Sequence, residues 1–482
     1  MINSDSVDVP HFQRPHSISR RTALVRGGTA LAALASQHLP LLRAQEKANA
    51  NHPRLKITDI KLHPIQVPYH DWAAHVMNHF HEPSKRIIYE VYTNTGLVGL
   101  GETDGPLSET QLQQYIGTSP FDWMATEESP LGFQAALYDL MGQAADVPVY
   151  KLIGPKYRSW VPIAAWTVSA HPTIMATTLQ KIAALGYTWM KYHLSPFESI
   201  TDQMRAMQEV APKGFRIHLD FTMAGTDDHV FELLEKISQF PIAGCFEDPL
   251  PTPDIQGHTE LRAKCRLPIL YHHSPLGAGH ETQFRAADGY ILGTAPVGSA
   301  VRHAGLFAQL DIPFSVQCPG GMILRAMAAH LHAAFKAATL HFNTDTEMWS
   351  TDVTNEKLEP MNGWLRVPEA PGLGVTLNRA ELERLKDLKL PANPDWIIKS
   401  KYPDGTVMYN LAKPTNSLFM VRPDMRKLVT LGYDSPITTE WWDPDGTPAF
   451  SSMMKQLLQE GMILEKGGVS VGGGLKMQPS KR

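Results

Sequence analysis

The sequence predicts an α/β protein: a modified (β/α)8-type, TIM-like barrel, with an α+β capping domain before it and a C-terminal extension after it. Two observations predict this. From Val161 onward, short apolar strand-like runs alternate with helical stretches. In addition, polar residues close successive runs at a near-constant interval: His193 in WMKYHL, Asp220 in RIHLD, Glu247 in GCFEDP and His273 in PILYHHS. The steps are 27, 27 and 26 residues. One strand, a loop, a helix and a second loop use about that many residues in a β/α repeat. If the strands are parallel and close into a barrel, these side chains and Lys191 converge at one mouth, where such barrels hold their active sites. Two carboxylates and a histidine there suit a divalent metal.

Taken in order, residues 1–52 read as a leader and linker. Ser19-Arg20-Arg21-Thr22-Ala23-Leu24 precedes the small-residue stretch Gly27 to Ala35 and resembles a bacterial twin-arginine export signal. Arg26 interrupts that pattern. Processing is expected near Ala44 and the location is expected to be periplasmic; without the signal it is cytoplasmic. Residues 53–157 form the expected cap. Leu55 to Pro68 alternates apolar and polar residues as a half-buried strand does, and Arg86 to Glu102 reads as a hairpin around Asn94-Thr95-Gly96. Between them Tyr69 to Glu82 carries His70, His75, His79 and His81 and reads as a polar loop; the alternative is a zinc site built on the i, i+4 pair His75/His79. Gly132 to Ala145 has helical periodicity, ending before Pro148.

Residues 158–365 hold the barrel. Strands are expected at Pro162–Val168, Trp189–Leu194, Arg216–Asp220, Gly244–Glu247, Pro268–His272, Gly289–Gly293, Pro313–Gln317 and Ala338–Phe342. Helices between them include Ile200–Val210, Val230–Gln239, Val297–Leu310 and Ile323–Ala334, and one helix of the ring is open to loss or distortion. Residues 366–390 are a return segment. Residues 391–482 are an extension with a hairpin near Tyr402-Pro403-Asp404-Gly405, a helix near Ser452–Glu460 and a disordered Gly- and Lys-rich end from Gly467.

The net charge of −4 and short basic clusters without interleaved aromatics exclude a nucleic-acid surface. No run of about 18 apolar residues exists, so no membrane span is expected. Cys245, Cys265 and Cys318 match neither a zinc motif nor a disulfide framework, and read as free thiols, buried at Cys245 and Cys318.

Several motifs together resemble the enolase superfamily, in its mandelate racemase/muconate lactonizing branch. They are GLVGLGE (96–102), ALYDLMGQAADVPVYKLIG (136–154), Lys191-Tyr192-His193, Asp220, Phe246-Glu247-Asp248-Pro249 and VPEAPGLGV (367–375), in matching order over about 55–390. The resemblance implies a cap over a modified barrel, with the PGLGV segment returning to the cap. It also implies abstraction of a proton α to a carboxylate, with a Mg²⁺ ion stabilising the enediolate. Asp220 and Glu247 fall on the first two metal-ligand positions. His273 falls on the third, where the family usually has an acidic residue, so Zn²⁺, Mn²⁺ or Fe²⁺ join Mg²⁺ as candidate metals.

Lys191 and His193 fall on the family's Lys-x-Lys pair, which makes His193 the expected base and Lys191 a contact for the substrate carboxylate. Gly293 and Gln317 stand where many members have an Asp and a His on the opposite face, and His341 stands for the usual glutamate after strand eight. Pocket-lining positions are His272, Gln317 and His341, with His79 and His81 on the cap loop expected to close over the mouth. Two function classes follow. One is metal-dependent dehydration or epimerisation of a hydroxy or sugar acid; the other is a non-catalytic carboxylate-binding or scaffold descendant. The partner is a small carboxylate, and the resemblance implies a homo-oligomer.

Overall fold

The computed structural model describes residues 54–80, 84–195, 197–221, 227–272, 282–391, 393–412 and 437–472. The export-signal motif, His81 and His273 lie outside them. Three antiparallel strands begin the described chain: β1 (Ile57–Val67), β2 (Ser84–Thr93) and β3 (Val98–Thr103), in the order β1-β2-β3. Between β1 and β2 lies a helix, α1 (Asp71–Phe80), where a polar loop is expected from the sequence. Asp71 opens it at the favourable end of the helix dipole, and Ala73, Val76 and Met77 are buried at i, i+3, i+4 spacing. The histidines on its other positions obscure that stripe in the sequence.

Helix α2 (Leu131–Ala145) lies on β3 so closely that only glycine fits between them. A Cβ at Gly99 would meet the Ala136 carbonyl oxygen at 2.2 Å, and one at Gly132 would meet the Glu102 carbonyl oxygen at 2.1 Å. This contact accounts for Gly99 and Gly101 of GLVGLGE, whereas Gly96, at φ +83, serves the hairpin turn. Short helical turns at Glu109–Gln113, Pro120–Trp123 and Tyr150–Ile153 complete this region.

Eight parallel strands then form a nearly closed barrel. They are β4 (Trp160–Val168), β5 (Trp189–His193), β6 (Arg216–Asp220), β7 (Ala243–Glu247), β8 (Ile269–Tyr271), β9 (Gly289–Gly293), β10 (Phe314–Gln317) and β11 (Phe342–Asn343), in the order β10-β9-β8-β7-β6-β5-β4-β11. Around them run α3 (Pro172–Ala184), α4 (Ile200–Val210), α5 (Asp227–Ile237), α6 (Ile255–Lys264), α7 (Val297–Leu310) and α8 (Met322–Ala334). The core lies between strands and helices and is continuous with the apolar face of α2. Cys245 and Cys318 are buried free thiols.

Strand eight departs from expectation. Ala338 to Leu340 is drawn into turns, with Ala338 N donating to Phe335 O and Thr339 N to Ala337 O, so β11 keeps only two residues. Leu340 N still donates to Phe314 O at 3.2 Å, which brings β10 beside the segment entering β11.

After β12 (Trp364–Arg366), antiparallel to β4, the PGLGV segment reaches α2. Asp139 accepts the Leu373 N–H on one oxygen and the Leu100 N–H on the other, tying this segment to β3. Gly372 has φ +73, and a Cβ there would meet Asp139 Oδ1 at 2.2 Å. Helix α9 (Arg379–Asp387) then pairs Arg379 with Glu90 of β2.

The extension is a five-stranded antiparallel sheet: β13 (Trp396–Lys401), β14 (Val407–Ala412), β15 (Thr438–Trp442), β16 (Met462–Lys466) and β17 (Val469–Gly472), ordered β15-β13-β14-β16-β17. Helix α10 (Pro448–Glu460) packs Phe450 and Leu457 against it. Residues 469–472, expected to be disordered, are a strand because Gly467 and Gly468, both at positive φ, form a tight hairpin turn. The sheet is anchored to the rest of the chain by Trp396 Nε1, which donates to His79 O, and by Thr439 Oγ1, which donates to Phe197 O just beyond β5. Among the described residues no helix is long and apolar enough to cross a membrane.

Candidate active site at the barrel mouth

Strand register decides which side chains meet. His193, Asp220 and Glu247 are register partners on β5, β6 and β7, at the C-terminal ends of three adjacent strands. Two residues earlier on each strand, Lys191, His218 and Cys245 are partners one layer deeper. Side chains two apart on a strand share a face, so both layers point into the barrel.

The Lys191 ammonium, 1% exposed, bridges the two carboxylates: 3.0 Å to Asp220 Oδ2 and 2.7 Å to Glu247 Oε2. His193 Nε2 lies 3.0 Å from Asp220 Oδ2, and His272 Nδ1 2.8 Å from Glu247 Oε1. Burial and the neighbouring Glu247 push the Asp220 carboxyl up, but Lys191 and His193 outweigh them and hold it at about 2. Burial likewise raises Glu247, and Lys191, His218 and His272 overcome that, leaving it well below the usual carboxylate range. Burial opposes the charge on Lys191, and the two carboxylates reverse this, so its pKa rises. The site is thus a buried cation between two ionised acids.

His272 occupies its place because residue 293 is glycine. A Cβ on Gly293 would meet His272 Nε2 at 2.4 Å. Asp248, at φ +41, accepts the His272 backbone N–H, and burial together with Glu247 lifts its carboxyl to about 7. Gln317 ends β10, half-buried. His341 is not at the rim: it precedes the short β11 and lies at the level of His218, bonded to His218 Nδ1 at 2.8 Å and facing the Trp189 ring at 4.5 Å. His79 lies on α1, among residues of the extension.

Sequence reasoning passed over His218, Cys245 and Trp166, whose ring meets that of His193 edge-on at 5.5 Å. The signal for the first two was available: each precedes a chosen carboxylate by two residues on the same strand.

The donor set fits a divalent cation. Asp220 and Glu247 are ionised oxygen donors, and Mg²⁺ sites commonly use one or two carboxylates. The imidazoles of His272 and His218 extend the fit to transition metals. Glu247 Oε2 stands 2.7 Å from His218 Nε2 and 2.7 Å from the Lys191 ammonium, so a metal at the mouth would share or take over the oxygen that Lys191 now holds.

Residues 174–381 match the family described as Enolase C-terminal domain-like. The D-galactonate dehydratase of Pectobacterium atrosepticum is 26% identical over 312 residues, covering 57% of this chain and 77% of the relative. That of Ralstonia nicotianae is 25% identical over 301 residues, with the same shares. Among solved structures, a dipeptide epimerase from Cytophaga hutchinsonii, complexed with Mg and the dipeptide D-Ala-L-Val, superposes with TM-score 0.58 at 21% identity, over 68% of this chain and 98% of that one. An N-succinyl Arg/Lys racemase from Bacillus cereus superposes with TM-score 0.56 at 21% identity, over 69% and 98%. At these identities the structural likenesses speak for the fold.

Proposed function

The chain belongs to the enolase superfamily, in its mandelate racemase-like branch, and on that premise we propose that it removes the proton α to the carboxylate of a hydroxy or sugar acid, leading to dehydration or single-face epimerisation. Members of this superfamily use a divalent metal, typically Mg. Here Asp220 and Glu247 would hold it, with His273 as a further candidate. When bound, it supplies Lewis-acid stabilisation of the charge that develops on the substrate carboxylate.

The observation that carries the reading is the aligned layer of His193, Asp220 and Glu247 above a buried cation. His193 is the proton acceptor. Its Nε2–H donates to Asp220, so the lone pair of the neutral ring lies on Nδ1, a buried atom that a substrate would reach only after the ring turns. Asp220 fixes that tautomer and steadies the imidazolium that forms. Lys191 stays charged throughout but offsets only one of the two carboxylate charges, so the layer is net negative and an anionic substrate there would need the added charge of a divalent metal. Gly293 and Gln317 offer no acid or base on the opposite side, which favours elimination or a single-face reaction over racemisation. Export by a twin-arginine route, on the Ser19–Leu24 motif, belongs to the same proposal.

The test uses protein purified without chelator, with aldonic acids such as galactonate in D2O. The expected result is one equivalent of divalent metal, lost in Asp220→Asn/Glu247→Gln, and deuterium exchange at Cα that vanishes in His193→Asn while the metal stays. Lys191 seated against both carboxylates favours a second reading, a metal-free carboxylate-binding descendant. Absence of both metal and exchange, with retained binding of sugar acids, would replace the first reading by the second.

A further inference from the structure

The histidine pair of α1 takes no part in the barrel mouth. His75 and His79, one turn apart, present their rings on one helix face 4.5 Å from each other. Asp443, the first residue after β15, faces them from the extension. The candidate ligand atoms of these three residues all lie within 4.8 Å of one another. His79 is buried and its ring orientation is set: Nδ1 lies 2.5 Å from the His75 carbonyl oxygen. A carbonyl only accepts, so Nδ1 carries the proton and Nε2 points its lone pair at Asp443 Oδ1, 2.6 Å away. A lone pair held against a carboxylate oxygen repels it unless a second proton or a cation lies between them.

We propose that His75, His79 and Asp443 form a transition-metal site of the zinc class that fastens the C-terminal extension to the capping helix. Two imidazoles and one carboxylate suit Zn²⁺ and its neighbours rather than Mg²⁺ or Ca²⁺. The Nδ1–H to carbonyl bond of His79 is the outer-shell contact that commonly fixes the tautomer of a metal-bound histidine. Tetrahedral coordination at zinc–ligand distances places donors about 3.3 Å apart. To reach that spacing the 2.6 Å pair of His79 and Asp443 opens and His75 swings in, and both movable side chains face solvent, His75 being exposed and Asp443 51% exposed. Trp396 and Trp441, with ring centroids 4.8 and 5.1 Å from that of His79, wall the inner side, and solvent reaches the outer side for metal entry and a water ligand. The site joins residues 364 apart in sequence. Its partner strand β15 also holds the loop after β5 through Thr439 and Phe197, so metal binding sets the extension beside the strand that carries Lys191 and His193.

The experiment uses the full chain, stripped of metal and carrying Asp220→Asn/Glu247→Gln, which removes the carboxylates of the mouth; any Zn²⁺ held by the remaining His218, Cys245 and His341 is unchanged by His75→Ala and is subtracted. Zn²⁺ is titrated by calorimetry and Co²⁺ by its visible ligand-field bands. The expected result is one equivalent bound, with His75→Ala weakening it by at least about 100-fold and Zn²⁺ raising the thermal midpoint only when His75 is present. Both His75 and Asp443 are exposed, so their variants fold. Should the background variant not fold, wild type serves, and His75→Ala lowers its Zn²⁺ stoichiometry by one equivalent. Equal binding by His75→Ala/Asp443→Asn, or no binding up to millimolar Zn²⁺, overturns the proposal and leaves a proton-mediated contact between His79 and Asp443.

Discussion

Replacing Lys191 by methionine keeps the length of the side chain and removes the charge that two buried acids depend on. The ammonium lies 3.0 Å from Asp220 and 2.7 Å from Glu247, with all three side chains at most 3% exposed. Removing one partner from a buried ion pair costs about 3–5 kcal/mol, because the remaining charge is left without compensation. That is a large share of a domain stability of about 5–15 kcal/mol. The pH dependence carries a sign that packing loss alone does not. In the wild type the Asp220 carboxyl sits at about 2, below its unfolded value, so its contribution is present above roughly pH 4 and is lost as pH falls through about 2. Without Lys191, burial and the repulsion of Glu247 raise it above the unfolded value. Lys191→Met should then lose stability as pH rises from 4 to 7, by up to about 1.4 kcal/mol per pH unit for each proton. Urea denaturation followed by tryptophan fluorescence, in chelator at pH 5 and 7, measures both effects. Divalent metal should restore the variant more than it stabilises wild type, since it replaces the missing charge. A variant within about 1 kcal/mol of wild type, with no added pH slope, refutes the reasoning.

Gly293→Ala sets a methyl group 2.4 Å from His272 Nε2, so the ring must leave Glu247, at a cost of about 1–3 kcal/mol. Differential scanning calorimetry should show a lowered midpoint that Gly293→Ala/His272→Ala recovers relative to His272→Ala; no recovery means the strain lies elsewhere. Glu198, buried in the loop after β5, has its carboxyl lifted to about 8 by burial, against a lowering hydrogen bond from Trp441. Its folded value is raised, so its contribution is fully present below roughly pH 4.5 and is lost as pH rises through about 8. Chemical denaturation at pH 5, 6.5 and 8 should show wild type weakening across that window and Glu198→Gln changing little, whereas parallel curves for the two would discard the assignment.

The barrel was legible because its signals are local and periodic. Arg216–Asp220, Gly289–Gly293, Ile200–Val210 and Val297–Leu310 appear with their expected bounds, and Asp220 and Glu247 end their strands as the spacing requires. Helix α1 was hidden because His75, Asn78 and His79 dilute its apolar stripe. The depth of His341 was hidden because turns at Ala338 and Thr339 shorten β11, and hydrogen bonds to Phe335 and Ala337 cannot be read from an apolar run.

By itself the sequence determined the order of strands and helices, the glycines that let α2 lie on β3 and the kinds of groups delivered to the mouth. These depend on side-chain period and backbone sterics, which act over a few residues. Only the tertiary structure decided that Lys191 lies between Asp220 and Glu247, that His218 forms a second polar layer with Cys245, and that Asp443 meets His79. Those contacts arise from strand register and from the docking of segments up to 364 residues apart. A one-residue slip in register would turn every side chain of a strand to the other face; the apolar pattern says which face is buried, and only the paired strands show which polar groups then touch.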